Sequence, residues 1–329
     1  MSRNLIAPTL GFGLLALLAG PGCATLGLGS GQPLVPTLYQ TRTGPYTVFT
    51  NFPVAADAPA IRHLQSLEHQ LEANLGVRVD PKEAPIEVYI LNDRKAFAHF
   101  LAFYYPELPS RRAFFLAQGD RRVVYTYLGD RLEEDLRHEA THALLHASVA
   151  ELPLWLDEGL AEYFEGPDSR NGVNPEHLAK LPGDLAKGWT PDLDRLETLQ
   201  DVRQMSPRDY RESWAWVHYL LNGPAPGKTA LLAYLADLRT SPETPTLSRR
   251  LALADKGPKA GMLAHLEQIK ERPVTATAVA APEPTVRLQS APVEVPVQAT
   301  GRRRSVLDRV RDLFRTGKNG QDDPALAGS

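Results

Sequence analysis

Apolar positions in the first half of the chain follow strand and helix periodicities in turn. Continuous or alternating apolar runs predict strands at 46–50 and 86–91 and a β-hairpin over 112–128. After the second strand, Asn92 is positioned to cap a helix. Between the two strands, apolar side chains three or four positions apart predict an amphipathic helix that ends near Gly76. These side chains are Ile61, Leu64, Leu67, Leu71 and Leu75.

The second half of the chain carries mostly helical patterns. Asp130 and Glu133 have the spacing of a capping box, which predicts a helix from there to about residue 147. Pro153 separates this helix from a second one over 154–165. Residues 166–205 are rich in glycine, proline, asparagine and aspartate and hold few apolar side chains. Further helical patterns follow at 206–221, 229–238, 247–253 and 261–269.

These elements predict an α+β fold in which a small mixed or antiparallel sheet packs on helices. We expect a sheet subdomain at 38–165 and a mainly helical subdomain at 166–271, with a cleft between them. Hydrophobic residues make up 43% of the 329 positions, which is enough to bury a core of this size.

The N-terminal end predicts export. Residues 1–22 combine a positive start with a short apolar stretch, which indicates a signal segment. The sole cysteine, Cys23, follows directly, so we expect a lipoprotein whose lipidated Cys23 is joined to the fold by a tether at 23–37. Gly20 stands where bacterial lipoboxes usually carry an aliphatic residue. Secretion into the periplasm or medium with cleavage near Ala24, or an uncleaved anchor, is therefore the alternative.

The C-terminal end predicts a linker and a tail. Proline, alanine and valine dominate residues 272–300, which is typical of a disordered linker. The basic tail at 301–329 includes a stretch, 301–318, with 7 Arg or Lys and apolar side chains at helical spacing. This stretch could contact anionic lipid or nucleic acid, or it could be a solvated, half-formed helix. The net charge of -3 disfavours nucleic acid as a partner of the whole chain.

The predicted helix at 130–147 contains a metal-binding pattern, His138-Glu-Ala-Thr-His142. Two histidines four positions apart lie on one helix face, so both imidazoles can reach one ion. Since the chain has a single cysteine, any metal must be held by His, Asp or Glu, and imidazole ligands favour Zn²⁺ over Mg²⁺ or Ca²⁺. Glu139 lies beside the first ligand, where it can act as general base for a water molecule.

A zinc site that leaves one position open needs a third protein ligand, and the helix at 154–165 supplies candidates. We expect Glu158 to be that ligand, although Glu162 shares its helix face and could bind instead. Asp157 and Glu162 are expected to orient a ligand through hydrogen bonds. His146 continues the face of the two histidines and is a rival ligand, or a polar residue in the last helical turn.

His138-Glu-Ala-Thr-His142, followed by Trp155-Leu-Asp-Glu158-Gly-Leu-Ala-Glu-Tyr163, resembles the gluzincin metallopeptidases. Within them the pattern is most similar to the peptidase MA-like family of exported bacterial proteins, many of them known only as a domain of unknown function. The resemblance implies a zincin-like fold, with zinc bound by His138, His142 and Glu158 and with Glu139 as catalytic base. It covers residues 110–222 best. Fifteen residues separate His142 from Glu158, a few fewer than in the aminopeptidase branch, so the connection between the helices is shorter.

The resemblance also implies how a peptide would bind. In the similar families an edge strand before the metal helix pairs with extended peptide, and here the strand at 123–128 occupies that place. A hydroxyl near the metal would stabilise the oxyanion formed during hydrolysis, and Tyr210 is the candidate. Alternatively, Tyr210 belongs to the core stripe of its own helix.

Three functional hypotheses follow. The first is a zinc-dependent peptidase at the bacterial cell envelope that acts on peptides or proteins. The second is an envelope lipoprotein that uses the same fold for binding or structure without turnover. The third assigns the function to the tail at 301–329, as a membrane or nucleic-acid contact.

Overall fold

The computed structural model describes residues 35–271, except 81, 83, 84, 107, 109, 110, 150, 242, 243, 255 and 256. The predicted signal at 1–22, Cys23 and the first part of the tether lie outside the described residues. The linker at 272–300 and the tail at 301–329 also lie outside them. Within the described part of the chain, no helix combines the length and apolar character that crossing a bilayer requires.

Five strands form one mixed sheet. They are β1 (Tyr39–Thr43), β2 (Tyr46–Thr50), β3 (Ile86–Leu91), β4 (Phe114–Gln118) and β5 (Arg121–Tyr127), in the order β1-β2-β3-β5-β4. Strands β2, β3 and β5 are parallel to one another, and β1 and β4 pair antiparallel at the two edges. The predicted α+β class with a small mixed sheet is therefore confirmed.

Strand β5 lies inside the sheet, so the prediction that the strand at 123–128 offers an edge to a peptide was wrong. Its two sides are taken by β3 and by its hairpin partner β4. The predicted hairpin is present, with its turn at Gly119-Asp120, and it places β4 on the outside of the sheet. Within the described sheet, the edge strand of this hairpin is therefore β4.

One face of the sheet carries a row of stacked aromatic rings. Phe49, Tyr89, Tyr125 and Phe114 lie directly opposite one another on four strands, with ring centroids 4.8, 5.2 and 5.0 Å apart. Helix α2 (Arg94–Tyr104) covers this row. Its cap is Asp93, which accepts from the Ala96 N–H, and not Asn92 as predicted.

The other face of the sheet packs on helices α1 (Pro59–Leu75) and α3 (Leu132–Ser148). The leucine stripe of α1 is buried, and Gly76 ends this helix with a φ of 63°, as the sequence predicted. Helix α3 is present, but its predicted capping box is not. The helix begins at Leu132 without a side-chain cap, and the acidic residues of its first turn interact with the helix dipole instead.

Seven further helices complete the described part. They are α4 (Leu154–Phe164), α5 (Pro175–Ala186), α6 (Leu193–Leu196), α7 (Pro207–Asn222), α8 (Ala225–Leu238), α9 (Leu247–Ala254) and α10 (Pro258–Glu271). Helices α4 and α7 pack closely, since a Cβ at Gly159 would lie only 2.7 Å from the Ser213 carbonyl oxygen. One hydrophobic cluster joins the sheet, α1, α3, α4 and α7.

A buried cation links three of these elements. Arg137 of α3 is 1% exposed. Its guanidinium donates to the Phe164 carbonyl oxygen at the end of α4 (2.8 Å) and to the His63 carbonyl oxygen in α1 (3.3 Å). It also donates to Gln70 Oε1 of α1 at 3.1 Å. These hydrogen bonds compensate for the loss of solvation and fix α4 against α1 and α3.

Candidate metal centre

The three residues predicted as metal ligands lie together between α3 and α4. The Glu158 Oε2 atom is 3.8 Å from His138 Nε2 and 3.8 Å from His142 Nε2. All three donor atoms lie within 4.8 Å of one another. His142 and Glu158 are buried, and His138 is partly open to solvent. The four-residue spacing on α3 and the packing of α4 against it therefore create the predicted group.

The other nitrogen of each imidazole faces a carboxylate. His138 Nδ1 lies 3.2 Å from Glu165 Oε2. His142 Nδ1 lies 2.9 Å from Asp157 Oδ1, and neither of these two atoms has another partner in the described part of the chain. A carboxylate at Nδ1 favours the proton there, which leaves Nε2 of each ring free to bind a metal.

The residues that orient the ligands were only half predicted. Asp157 lies at His142, as expected. Glu162 lies near His138, in a group with Glu165 whose donor atoms are all within 4.8 Å of one another, but Glu165 is the carboxylate that lies 3.2 Å from His138 Nδ1. Glu162 instead pairs with His177 Nε2 at 2.8 Å. The reason is that α3 and α4 run in opposite directions. The C-terminal end of α4 therefore lies next to His138, the first of the two histidines.

Asn174 and His177 are the site residues that the sequence did not reveal. The Asn174 amide donates to Glu165 Oε1 at 2.8 Å and to Glu162 Oε2 at 3.3 Å, and thereby holds both carboxylates. Its own Oδ1 caps α5. No local pattern marks these residues, because they approach the site only through the fold of 166–177.

His146, the rival ligand, is not part of the group. Its Nε2 lies 2.9 Å from Asp157 Oδ2, so the two oxygens of this carboxylate serve two different imidazoles. Pairing with both histidines holds the pKa of Asp157 well below its usual range, although burial opposes the shift. His146 thus anchors the carboxylate that orients His142.

The electric field at the centre favours cations. Burial alone would lower the pKa of His138, but the hydrogen bond with Glu165 and the charges of Glu139, Glu162 and Glu165 outweigh it and raise the pKa to about 10. Burial raises the pKa of Glu158 despite the two nearby imidazoles. A divalent cation would relieve this accumulation of buried negative charge.

The donor set fits zinc. Two imidazole nitrogens and one carboxylate oxygen are its usual ligands at a site with an open position, whereas Mg²⁺ and Ca²⁺ prefer oxygen ligands. Bonds of about 2.1 Å place tetrahedral ligands about 3.4 Å apart, so a separation of 3.8 Å needs only a small contraction.

A cleft of about 580 Å³ opens onto the centre. Glu139, His142 and Glu158 line it together with aromatic and aliphatic residues of β4 and the loops. The Glu139 carboxylate makes no hydrogen bond or ion pair with any described residue, so it is available to a molecule in the cleft. The predicted base and two of the predicted ligands therefore share one accessible space.

Tyr210 lies on α7, half-buried, and is not among the described residues that line the cleft. Burial and the nearby charge of Glu158 raise its pKa to about 12, while Arg111 lowers it. The hydroxyl therefore keeps its proton at neutral pH and can donate it in a hydrogen bond. Tyr210 thus lies near the centre without entering the described cleft wall.

Comparison with known families bears on the same segment. Residues 134–242 match the model of a family described as "Protein of unknown function (DUF1570)". The matched range contains the three candidate ligands, Glu139 and Tyr210, and it extends from α3 to the residues after α8. A search of the curated proteins finds no match to the chain. The family description names no activity.

Proposed function

We propose that this chain is an exported, zinc-dependent peptidase of the gluzincin type, acting at the bacterial cell envelope. The observation that carries the proposal is the convergence of His138 Nε2, His142 Nε2 and Glu158 Oε2 beside an unpaired Glu139 in an open cleft. A purely structural zinc site would have closed coordination and no need for that free carboxylate.

Each side chain has a defined task in this proposal. Zinc, when bound, supplies Lewis acidity, which polarises a carbonyl and makes water acidic enough to lose a proton near neutral pH. Glu139 takes that proton and passes it to the leaving amine. Asp157 and Glu165 hold the two imidazoles in the orientation that presents Nε2. Tyr210, on which the charge of Glu158 acts, is the candidate hydrogen-bond donor to the oxyanion.

Binding of the peptide main chain is assigned to β4. Its outer edge is free within the described sheet, and Phe114, Phe115 and Leu116 of this strand line the cleft. The Phe115 ring centroid lies 6.3 Å from that of His142, so the strand passes beside the candidate metal. Main-chain pairing along β4 would bring an extended peptide across the centre with modest sequence selectivity.

Digestion of a peptide library tests the proposal. The parent protein should cleave peptides in the presence of zinc and lose this activity with a chelator. Glu139→Gln should retain about one zinc ion per chain but lose at least about 100-fold in rate, since it removes the general base. Zinc content measured on the same samples separates loss of base from loss of metal. A Glu139→Gln protein that cleaves as fast as the parent would refute the assigned mechanism.

A further inference from the structure

The cleft beside the metal centre carries a single Lys or Arg side chain among its described lining residues. That residue is Arg111, which precedes β4. The acidic residues of the lining are Glu139, Asp157 and Glu158, and all three belong to the centre itself. Arg111 is exposed and makes no hydrogen bond or ion pair with any described residue.

The adjacent arginine shows what a structural role looks like in this segment. Arg112 donates to Asp135 Oδ1 at 2.7 Å and thereby fixes the chain before β4 to α3. Arg111 lines the cleft and makes no such contact with a described residue. The contact with Asp135 therefore gives Arg112 a role in fold stability. No such contact gives Arg111 a structural role.

Arg111 is also close to the reacting end of the cleft. Arg111 and Glu158 line the same cleft, and the charges of both act on the Tyr210 hydroxyl, Arg111 lowering its pKa and Glu158 raising it. Arg111 is four residues before Phe115, whose ring lies beside His142. Four residues span at most about 14 Å of extended chain, so the Arg111 Cα lies within about 14 Å of the Phe115 Cα.

Apart from the centre and Arg111, the polar side chains of the described lining are the uncharged Tyr105 and Gln118. Leu108, Phe114, Leu154 and Val202 are apolar, and the carboxylates of the centre repel another anion. A ligand carboxylate would therefore need the guanidinium of Arg111, which can bind it through two parallel hydrogen bonds. A ligand that offers a cation at this position would be repelled.

Building on the proposed function, we propose that Arg111 binds a carboxylate of the substrate in the same cleft as the scissile bond. The peptidase would then be selective for acidic peptides or for peptides cut close to their C-terminal carboxylate. Both sources present the same group to the same guanidinium, and matched ligands tell them apart.

Equilibrium binding to the zinc-loaded Glu139→Gln full chain tests this without turnover. The probes are fluorescent peptides synthesised in matched versions that differ only in an internal Asp or Asn, or in a C-terminal acid or amide. The carboxylate version of one pair should bind about tenfold more tightly, as for a hydrogen-bonded charge. Adding Arg111→Gln should abolish the difference. Arg94→Gln, which removes an exposed arginine outside the cleft, should preserve it.

The outcomes separate the two proposals. If neither pair shows a preference, if no peptide binds, or if the preference survives Arg111→Gln, the assignment of Arg111 is wrong. If the preference depends on Arg111 but the parent protein cleaves none of the peptides, the peptidase proposal fails while the carboxylate site stands. A preference confined to the Asp pair identifies a side-chain carboxylate, and one confined to the acid-amide pair identifies the chain terminus.

Discussion

Replacing Gly159 with alanine tests whether the close approach of α4 and α7 positions the metal centre. The added Cβ would lie 2.7 Å from the Ser213 carbonyl oxygen and 2.9 Å from Val217 Cγ2. Carbon and oxygen normally approach to about 3.3 Å, so the helices must separate by about 0.6 Å. Such overpacking costs up to about 3 kcal/mol, and the better helix propensity of alanine returns about 1 kcal/mol.

We therefore expect Gly159→Ala to lower the free energy of unfolding by about 2 kcal/mol, or the Tm by about 4–8 °C. Gly183→Ala in α5 is the matched control, because nothing lies within 4 Å of its added Cβ, and it should gain up to about 1 kcal/mol. Urea unfolding of the full chain measures both. Because Glu158 is the adjacent residue, Gly159→Ala should also bind zinc more weakly. A Gly159→Ala protein as stable as the Gly183→Ala protein would refute this account of the packing.

Two further predictions concern the centre and the helical half. Glu165→Gln should weaken zinc binding about 10- to 100-fold in a chelator competition, because it removes the carboxylate that orients His138. The control Glu176→Gln, at an exposed position, should leave zinc affinity unchanged. Equal zinc affinities of the two variants would contradict the role of Glu165. Burial and His265 lower the pKa of His218 to about 3, so below pH 6.5 the unfolded chain binds a proton that the native protein does not. This group should therefore cost about 2 kcal/mol of stability on going from pH 7 to pH 5, and His218→Gln should remove that part of the loss measured by urea unfolding.

The three candidate ligands were predictable because residue types that bind metals recur at positions that share one helix face. His138 and His142 are one turn apart, and Glu158 follows a proline that separates two apolar stripes. The partner of His138 was not predictable in the same way, since Glu165 meets it only when α3 and α4 pack in opposite directions. A signal was nevertheless present. Asp157 and Glu165 are eight positions apart, and so are His138 and His146. On two helices that run in opposite directions, this equal spacing places Glu165 at His138 when Asp157 is at His146.

Two elements were missed for local reasons. Strand β1 has the sequence YQTRT, which lacks apolar alternation because most of this edge strand is not buried. Helix α5 contains Pro182 and Gly183, which normally argue against a helix interior. The N-terminal end of the helix compensates for these two residues. Asn174 caps the helix, and Pro175 occupies the first turn, where its missing N–H is not needed. Long-range packing, not propensity, then holds it against α7.

Under the proposed function, the hydrogen bonds of Arg137 bear on how a metal would be acquired. A zinc finger unfolds without its ion because the ion supplies the folding energy. Here an interior guanidinium and a large apolar core already clamp the ligand-bearing helices together. Removal of zinc would then abolish the proposed activity without unfolding the protein, so the chain could fold first and become active wherever it first meets the ion.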